Sequence, residues 1–432
     1  MRARPRRHRA IAALSGALIL ALALTACGPT GEIAIDVPTQ VDQALPEETV
    51  QQLQDAVTSA MTAAGASGAV VGVWAPWSGT WVTGLGTQSV GGSTEVAANS
   101  EFRVARVTRS MTCDVLYAVA AQGTVKLNDP VTTWVSGVPD LSDVTLDDLC
   151  DGTSGIGSYG SQLTGMWLTN PTRVWNPREL ASYGLGQPRT GTPGDAWRDS
   201  DAGYVLLGLA LERATGQSAA QLLQQYVFGP LDLSSMALPG EKAAKPAGRA
   251  PAKRPALDGY QSMPGEGGAL NCVEPLNLTT LSASVGYTDS GVVSDITDLG
   301  RYAQALAAGT LMPKDTKRFA NPLPAYEGAP SWLTTTGGAV QAGSLIGQYG
   351  SIPGYLTATF ADPKTGLTVA VVLNNSAIGA DVAAYLAWEL AAIASKAPAA
   401  SGQTAPEAGL PWTAAQQHDL IAGRAICAAP AP

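Results

Sequence analysis

The stretch Phe102-Arg103-Val104-Ala105-Arg106-Val107-Thr108-Arg109-Ser110-Met111-Thr112-Cys113 decides how the chain is read. It looks like the end of a strand or loop running into a helix. Met111, Val115 and Val119 recur at helical spacing, and Gly123 supplies a stop. Arg106 and Arg109, at i and i+3, fall on the first turn of that helix. A helix N-terminus carries partial positive charge and unsatisfied N–H groups, so cations there are disfavoured by a few tenths to roughly 1 kcal/mol. Two arginines in such a place call for carboxylates from elsewhere in the chain.

Upstream of this stretch, Val50, Leu53, Val57 and Met61 share one face of a helix that runs from about Glu47 to Gly65. Gly68–Trp74 and Thr80–Gly86 then read as an antiparallel hairpin around Pro76–Gly79. Downstream, from about Leu127 to Ser284, short helices alternate with long polar loops. The strongest of these helices is Gly203–Thr215, where Leu206, Leu207, Ala210 and Leu211 form an apolar face and Gly216 is the stop. After Val285 the sheet pattern resumes. Asp289–Ser294 leads into a helix with Ile296, Leu299, Tyr302 and Leu306 on one face. Strands follow near Leu356–Phe360 and Thr368–Leu373 around the turn Asp362–Gly366, and a helix from about Asp381 to Ala394 closes the unit.

This order predicts an α+β fold, an antiparallel sheet flanked by helices with an all-α domain inserted. The sheet domain is expected over 46–126 and 285–396, the insertion over 127–284, and a cleft between them. Residues 397–432 form an Ala/Pro-rich extension with a short helix around Thr413–Ile426. A composition of 45% hydrophobic and 14% charged residues suits one large or two medium domains and argues against a disordered chain.

The first residues look like a targeting signal. Arg2, Arg4, Arg6, Arg7 and Arg9 precede an apolar run, Ala10–Leu22, too short to span a bilayer comfortably. The run ends in Leu24-Thr25-Ala26-Cys27-Gly28, and small residues before a cysteine resemble a bacterial lipobox. The expectation is a signal peptide over 1–26, lipidation of Cys27, and a tether over 27–45. The protein would then be exported and held by its lipid on the outer face of the cytoplasmic membrane. Removing 1–26 takes away five arginines and moves the net charge from −9 to −14, which argues against nucleic acid as a partner.

Export also puts Cys113, Cys150, Cys272 and Cys427 in an oxidising compartment. Two disulfides are expected there, with three connectivities open. No CxxC motif or Cys/His pair points to a metal, and nothing points to a cofactor. His418 is the one histidine left after maturation, so a histidine base would have to come from the C-terminal extension. The basic run at 238–259, with Lys242, Lys245, Arg249, Lys253 and Arg254, reads as a solvated loop or as a contact with an anionic surface.

Several segments, taken in order, resemble the serine β-lactamase and D-alanyl-D-alanine carboxypeptidase superfamily in its class C-like branch. They are Phe102–Arg109; Asp129-Pro130-Val131; Thr153-Ser154-Gly155; Pro193-Gly194 with Trp197; Gly203–Gly216; Phe228–Leu231 with Met236; and Gly347, Gly350 and Pro353-Gly354-Tyr355. The match covers roughly 47–395. The resemblance implies a sheet-plus-helical-domain fold and a site built from three motifs: Ser-x-x-Lys, Tyr-x-Asn, and His-x-Gly or Lys-x-Gly.

The residues that carry that chemistry are replaced. Arg106 and Arg109 stand at the serine and lysine positions, Asp199 and Asp201 at the tyrosine and asparagine, and Gln348 at the head of the third motif, where Gly350 remains. Arginine offers no nucleophilic oxygen and stays protonated, so it can serve neither as nucleophile nor as base. The same resemblance sets the two motifs across one cleft, which implies that Arg106 and Arg109 pair with Asp199 and Asp201. It also places Cys113 and Cys150 near the cleft, implying Cys113–Cys150 and Cys272–Cys427 bridges. Ser110, Ser154 and Ser200 are the serines in and beside these motifs that could take over as nucleophile, and none has a base at family spacing. The expectation is a non-catalytic relative that binds or scaffolds at the cell envelope, with a cell-wall peptide or an envelope protein as partner. The competing expectation is a serine hydrolase with a non-family nucleophile.

Overall fold

A computed structural model describes residues 33–138, 141–239, 254–314, 316–407 and 409–427. The expected signal peptide, Cys27 and the 240–253 part of the basic run lie outside the described residues.

α1 (Glu47–Ala64) buries Leu53, Val57, Ala60 and Met61, and ends at Gly65, whose φ of 63° is the left-handed cap that glycine adopts without strain. The hairpin β1 (Gly68–Ala75) and β2 (Gly79–Gly86) follows. β3 (Phe102–Arg103) then passes through Ala105, which has a φ of 50°, into α2 (Val107–Ala121). The next part is helical: α3 (Leu146–Asp151), α4 (Gly160–Thr169), α5 (Pro177–Leu185), α6 (Asp201–Thr215) and α7 (Ala219–Leu223). A ribbon of β4 (Tyr260–Gln261) and β5 (Leu276–Asn277) ends it. The chain returns through α8 (Tyr287–Ser290), β6 (Val293–Ser294) and α9 (Ile296–Ala308). Six strands come next: β7 (Leu323–Pro324), β8 (Leu333–Thr336), β9 (Ala339–Ala342), β10 (Leu345–Ile352), β11 (Tyr355–Ala361) and β12 (Thr368–Leu373). α10 (Asp381–Ala394) and α11 (Ala414–Ala422) complete the described chain.

The main sheet runs β2-β1-β12-β11-β10-β9-β8-β7, each neighbour antiparallel to the next. It is covered on both faces. Val369, Val371 and Leu373 of β12 pack with α1 and α10, while Ala370 and Val372 on the opposite face join the core of α2, α6 and α9. Strand alternation thus feeds two separate cores from one strand. α2 belongs to the second core, so its first turn sits where sheet and helical insertion meet.

Both disulfides implied by the resemblance are present. Cys113–Cys150 ties α2 to α3, and Cys272–Cys427 ties the end of the C-terminal extension to the loop between β4 and β5. The extension is also pinned by Trp412, whose indole N–H donates to the Trp388 carbonyl (2.9 Å).

Residues 33–45, the described part of the expected tether, lie along the body. Ile33 N donates to Pro230 O (2.9 Å), and Val41 N donates to Pro76 O (3.1 Å). Gln43 Nε2 donates to Ser78 O (2.8 Å), and Thr80 N donates back to Gln43 O (2.9 Å). The expectation of a tether over 27–45 carries no sign of this docking. The backbone partners that dock it come from turns 35 residues and more away in sequence.

Candidate functional site

Arg106 is the N-cap residue of α2 and Arg109 lies in its first turn. The backbone of β10 runs against them so closely that a Cβ on Gly350 would stand 2.5 Å from the Arg106 Cβ. Gln348, two residues earlier, donates from Nε2 to Gly338 O (2.8 Å), and the same carbonyl accepts the Ser110 hydroxyl (2.6 Å). The first and third motif segments therefore touch.

Asp199 closes the site from the helical side, just before the Ser200 cap that opens α6. Its carboxylate bridges both cations: Oδ2 lies 2.8 Å from Arg106 Nη2, and Oδ1 lies 2.8 Å from Arg109 Nη1. Asp289 on α8 takes the other edge of Arg109, with Oδ1 2.7 Å from Nε. The Arg109 guanidinium also stacks over Tyr204 (4.6 Å to the ring centroid). Its Nη2 is buried without a protein partner among the described residues. Arg109 is sealed, with a side chain 3% exposed, whereas Arg106 (27%) and Asp199 (34%) reach solvent.

Asp201 departs from the expected pairing. It is the first residue of α6, and its carboxylate accepts the backbone N–H groups of Tyr159 (2.6 Å) and Gly160 (3.0 Å) at the start of α4. The expectation treated positions 199 and 201 as facing the same way. The helix begins between them, and the chain turns by about 100° per residue once helical. Asp201 is thereby turned toward the positive end of another helix. Arg109 finds its second acid in Asp289, which lies 180 residues away in sequence and has no motif spacing to reveal it.

The charges behave accordingly. Burial pushes the Asp199 carboxyl up, but Arg106 and Arg109 outweigh it and hold it down at about 2. Burial opposes the Arg109 charge, and Asp289 and Asp199 overcome that opposition, holding its pKa well above the ordinary arginine value. Asp201 is pushed up to about 6, by burial first and by the Asp289 charge second. Asp151, half-buried near Asp147 and accepting the Gly337 N–H, is likewise raised to about 6, by desolvation first and by the Asp147 charge second.

These shifts fix a pH dependence. Asp151 and Asp201 hold protons in the folded state that they have lost in the unfolded one between about pH 4 and 6, so stability falls as pH rises through that window. Asp199 acts oppositely: its contribution is present above about pH 4 and lost as pH falls toward about 2. Thermal melts across this range should show a maximum near pH 4–5, with a lower midpoint at neutral pH. A midpoint that drops steadily on acidification from neutrality would contradict the assignment.

The family follows from the chain's own pattern. Residues 53–392 match the Beta-lactamase family model. The chain belongs to the Beta-lactamase family. Among curated relatives, penicillin-binding protein 4* of Bacillus subtilis (strain 168) is 24% identical over 271 residues, covering 60% of this chain and 57% of that protein. The D-alanyl-D-alanine-carboxypeptidase/endopeptidase AmpH of Escherichia coli (strain K12) is 30% identical over 141 residues, covering 31% of this chain and 36% of the relative. The chain thus spans between about a third and somewhat over half of the length of these relatives. The fold is shared with the D-stereospecific amidohydrolase from Streptomyces sp., at TM-score 0.62 and 24% identity, covering 76% of this chain and 93% of that one.

Within the Beta-lactamase family frame, the three motif segments converge on Arg106, Arg109, Asp199 and Gln348. The three serines in and beside the motifs are all buried and hydrogen-bonded. Ser110 donates to Gly338 O, Ser154 accepts the Ile156 N–H (3.3 Å), and Ser200 accepts the Gly203 N–H as the α6 cap (3.1 Å). His418 lies in α11 with its Nδ1 3.0 Å from Glu389, on the α10 side of the sheet. No group of His, Cys, Asp and Glu among the described residues could hold a metal ion.

Proposed function

We propose that this member of the Beta-lactamase family is non-catalytic, a pseudoenzyme held by a lipid on Cys27 at the outer face of the cytoplasmic membrane. The carrying observation is the Asp199 carboxylate shared between Arg106 and Arg109. An acyl-transfer site needs a nucleophilic oxygen next to a group that can accept its proton. Here both positions carry permanent cations, and their field is met by the Asp199 carboxylate they hold down at about 2, with Asp289 paired to Arg109 beside it. The role is then binding or scaffolding. The name of the AmpH relative, a D-alanyl-D-alanine-carboxypeptidase/endopeptidase, makes a cell-wall peptide the first ligand to try.

Purified protein incubated with a fluorescent penicillin and with a fluorophosphonate should show no covalent mass increase. A single-site adduct on any serine would replace this reading with that of a serine hydrolase. A raised melting midpoint with soluble peptidoglycan fragments would support the binding role, because a ligand that prefers the native state stabilises it by mass action.

A further inference from the structure

The docked segment 33–45 has a consequence for how the protein meets a surface. Were residues 27–45 a free linker, their eighteen peptide units could extend to roughly 60 Å at about 3.3–3.6 Å per residue. The backbone and side-chain bonds to Pro230, Pro76, Ser78 and Thr80 remove most of that length. The leash from Cys27 is left with the six units to Ile33, about 20 Å at full stretch. That is well below the width of a body of this size, for which a radius of gyration of about 21 Å is expected. A leash shorter than the body's width cannot leave it free to tumble.

We infer that the edge around Pro230 is the membrane-proximal face and that the partner it meets is the lipid bilayer. The inference rests on the lipid-anchor reading above. Three observations give it direction. Ile33, the first described residue, is an exposed apolar side chain at this edge (40%). Leu231, next to Pro230, belongs to the α9 side of the molecule, where Arg301 Nε donates to its carbonyl (2.7 Å). α1 and α10 cover the other face of the sheet. The helical side therefore faces the lipid, and α1 faces away.

The test uses the full-length protein purified from bacterial membranes and reconstituted in phosphatidylcholine/phosphatidylglycerol vesicles that carry an acceptor-labelled lipid. A donor fluorophore is attached either at Ser234→Cys, an exposed site four residues past Pro230, or at Gln52→Cys, on the exposed side of α1. The Ser234→Cys donor should lose most of its intensity to the acceptor, and the Gln52→Cys donor should keep most of its own. Inserting twenty Gly/Ser residues before Ile33 should erase the difference. Equal transfer from both sites in the uninserted protein, or a difference that survives the insertion, overturns the inference. Intact mass separates the two claims: a Cys27 without lipid sinks the anchor and this face together, while lipidated protein with equal transfer sinks only the face.

Discussion

Asp289→Ala is expected to destabilise the protein by about 3–5 kcal/mol, the range for removing one partner from a buried ion pair. Arg109 is the reason. Its guanidinium is sealed from water, its charge is held by two carboxylates, and its Nη2 already lacks a partner among the described residues. Arginine cannot relieve its burial by losing a proton. Taking away Asp289 leaves one shared carboxylate, Asp199, against two cations. Asp289→Asn should cost less, because the amide oxygen still accepts from Nε while the charge is lost. Arg106→Ala should cost under about 1 kcal/mol, since that pair is open to solvent and screened. Denaturant unfolding at neutral pH ranks the three. A loss below about 1 kcal/mol for Asp289→Ala would mean that the cluster does not depend on charge balance.

The second large effect lies behind the site. Asp114 of α2 and Arg318 are buried together, with the Tyr302 hydroxyl donating to Asp114 Oδ2 (2.6 Å). Arg318 also donates from Nε to Gly337 O (2.7 Å) and from Nη2 to Ser110 O (2.9 Å), so it braces α2 against the turn between β8 and β9. The two partners are not equivalent. Burial already raises the Asp114 carboxyl despite the Arg318 charge beside it. If Arg318 is lost, Asp114 can take up a proton; if Asp114 is lost, Arg318 stays charged. Asp114→Ala should therefore cost about 3–5 kcal/mol at any pH near neutrality. Arg318→Met should cost less at pH 5 than at pH 7, because the folded-state pKa of Asp114 rises further and stability is regained as pH falls through it. Equal losses for Arg318→Met at the two pH values would refute the asymmetry.

How much of this was legible in the sequence depended on the range of the interaction. α1 and α10 were readable because each repeats an apolar face over several turns, and the β1–β2 hairpin because glycine and β-branched residues mark it locally. β7, β8 and β9 were not read as strands. They are two to four residues long, and Thr334, Thr335 and Thr336 give them little apolar alternation; the hydrogen bonds of β10 and its neighbours make them strands. The site divides in the same way. Arg106, Arg109 and Asp199 could be found because neighbouring residues keep the family pattern around them. Asp289 could not, since only the return of β6 to pair with β3 brings α8 beside α2. Asp201 was misjudged for a local reason, the helix start at Ser200.

The shared carboxylate of Asp199 also governs how these positions can vary. Arg106, Arg109, Asp199 and Asp289 form one charge-balanced unit rather than four sites. A change at Arg109, Asp199 or Asp289 alone leaves a charge behind in a poorly hydrated place, while a matched exchange of a cation and an acid can leave the balance intact. A lone serine introduced at Arg106 would still face Arg109 where a proton-sharing lysine is needed. The buried part of the cluster is thus a ratchet: single steps at Arg109, Asp199 or Asp289 are penalised, and the steps there that are not come in pairs.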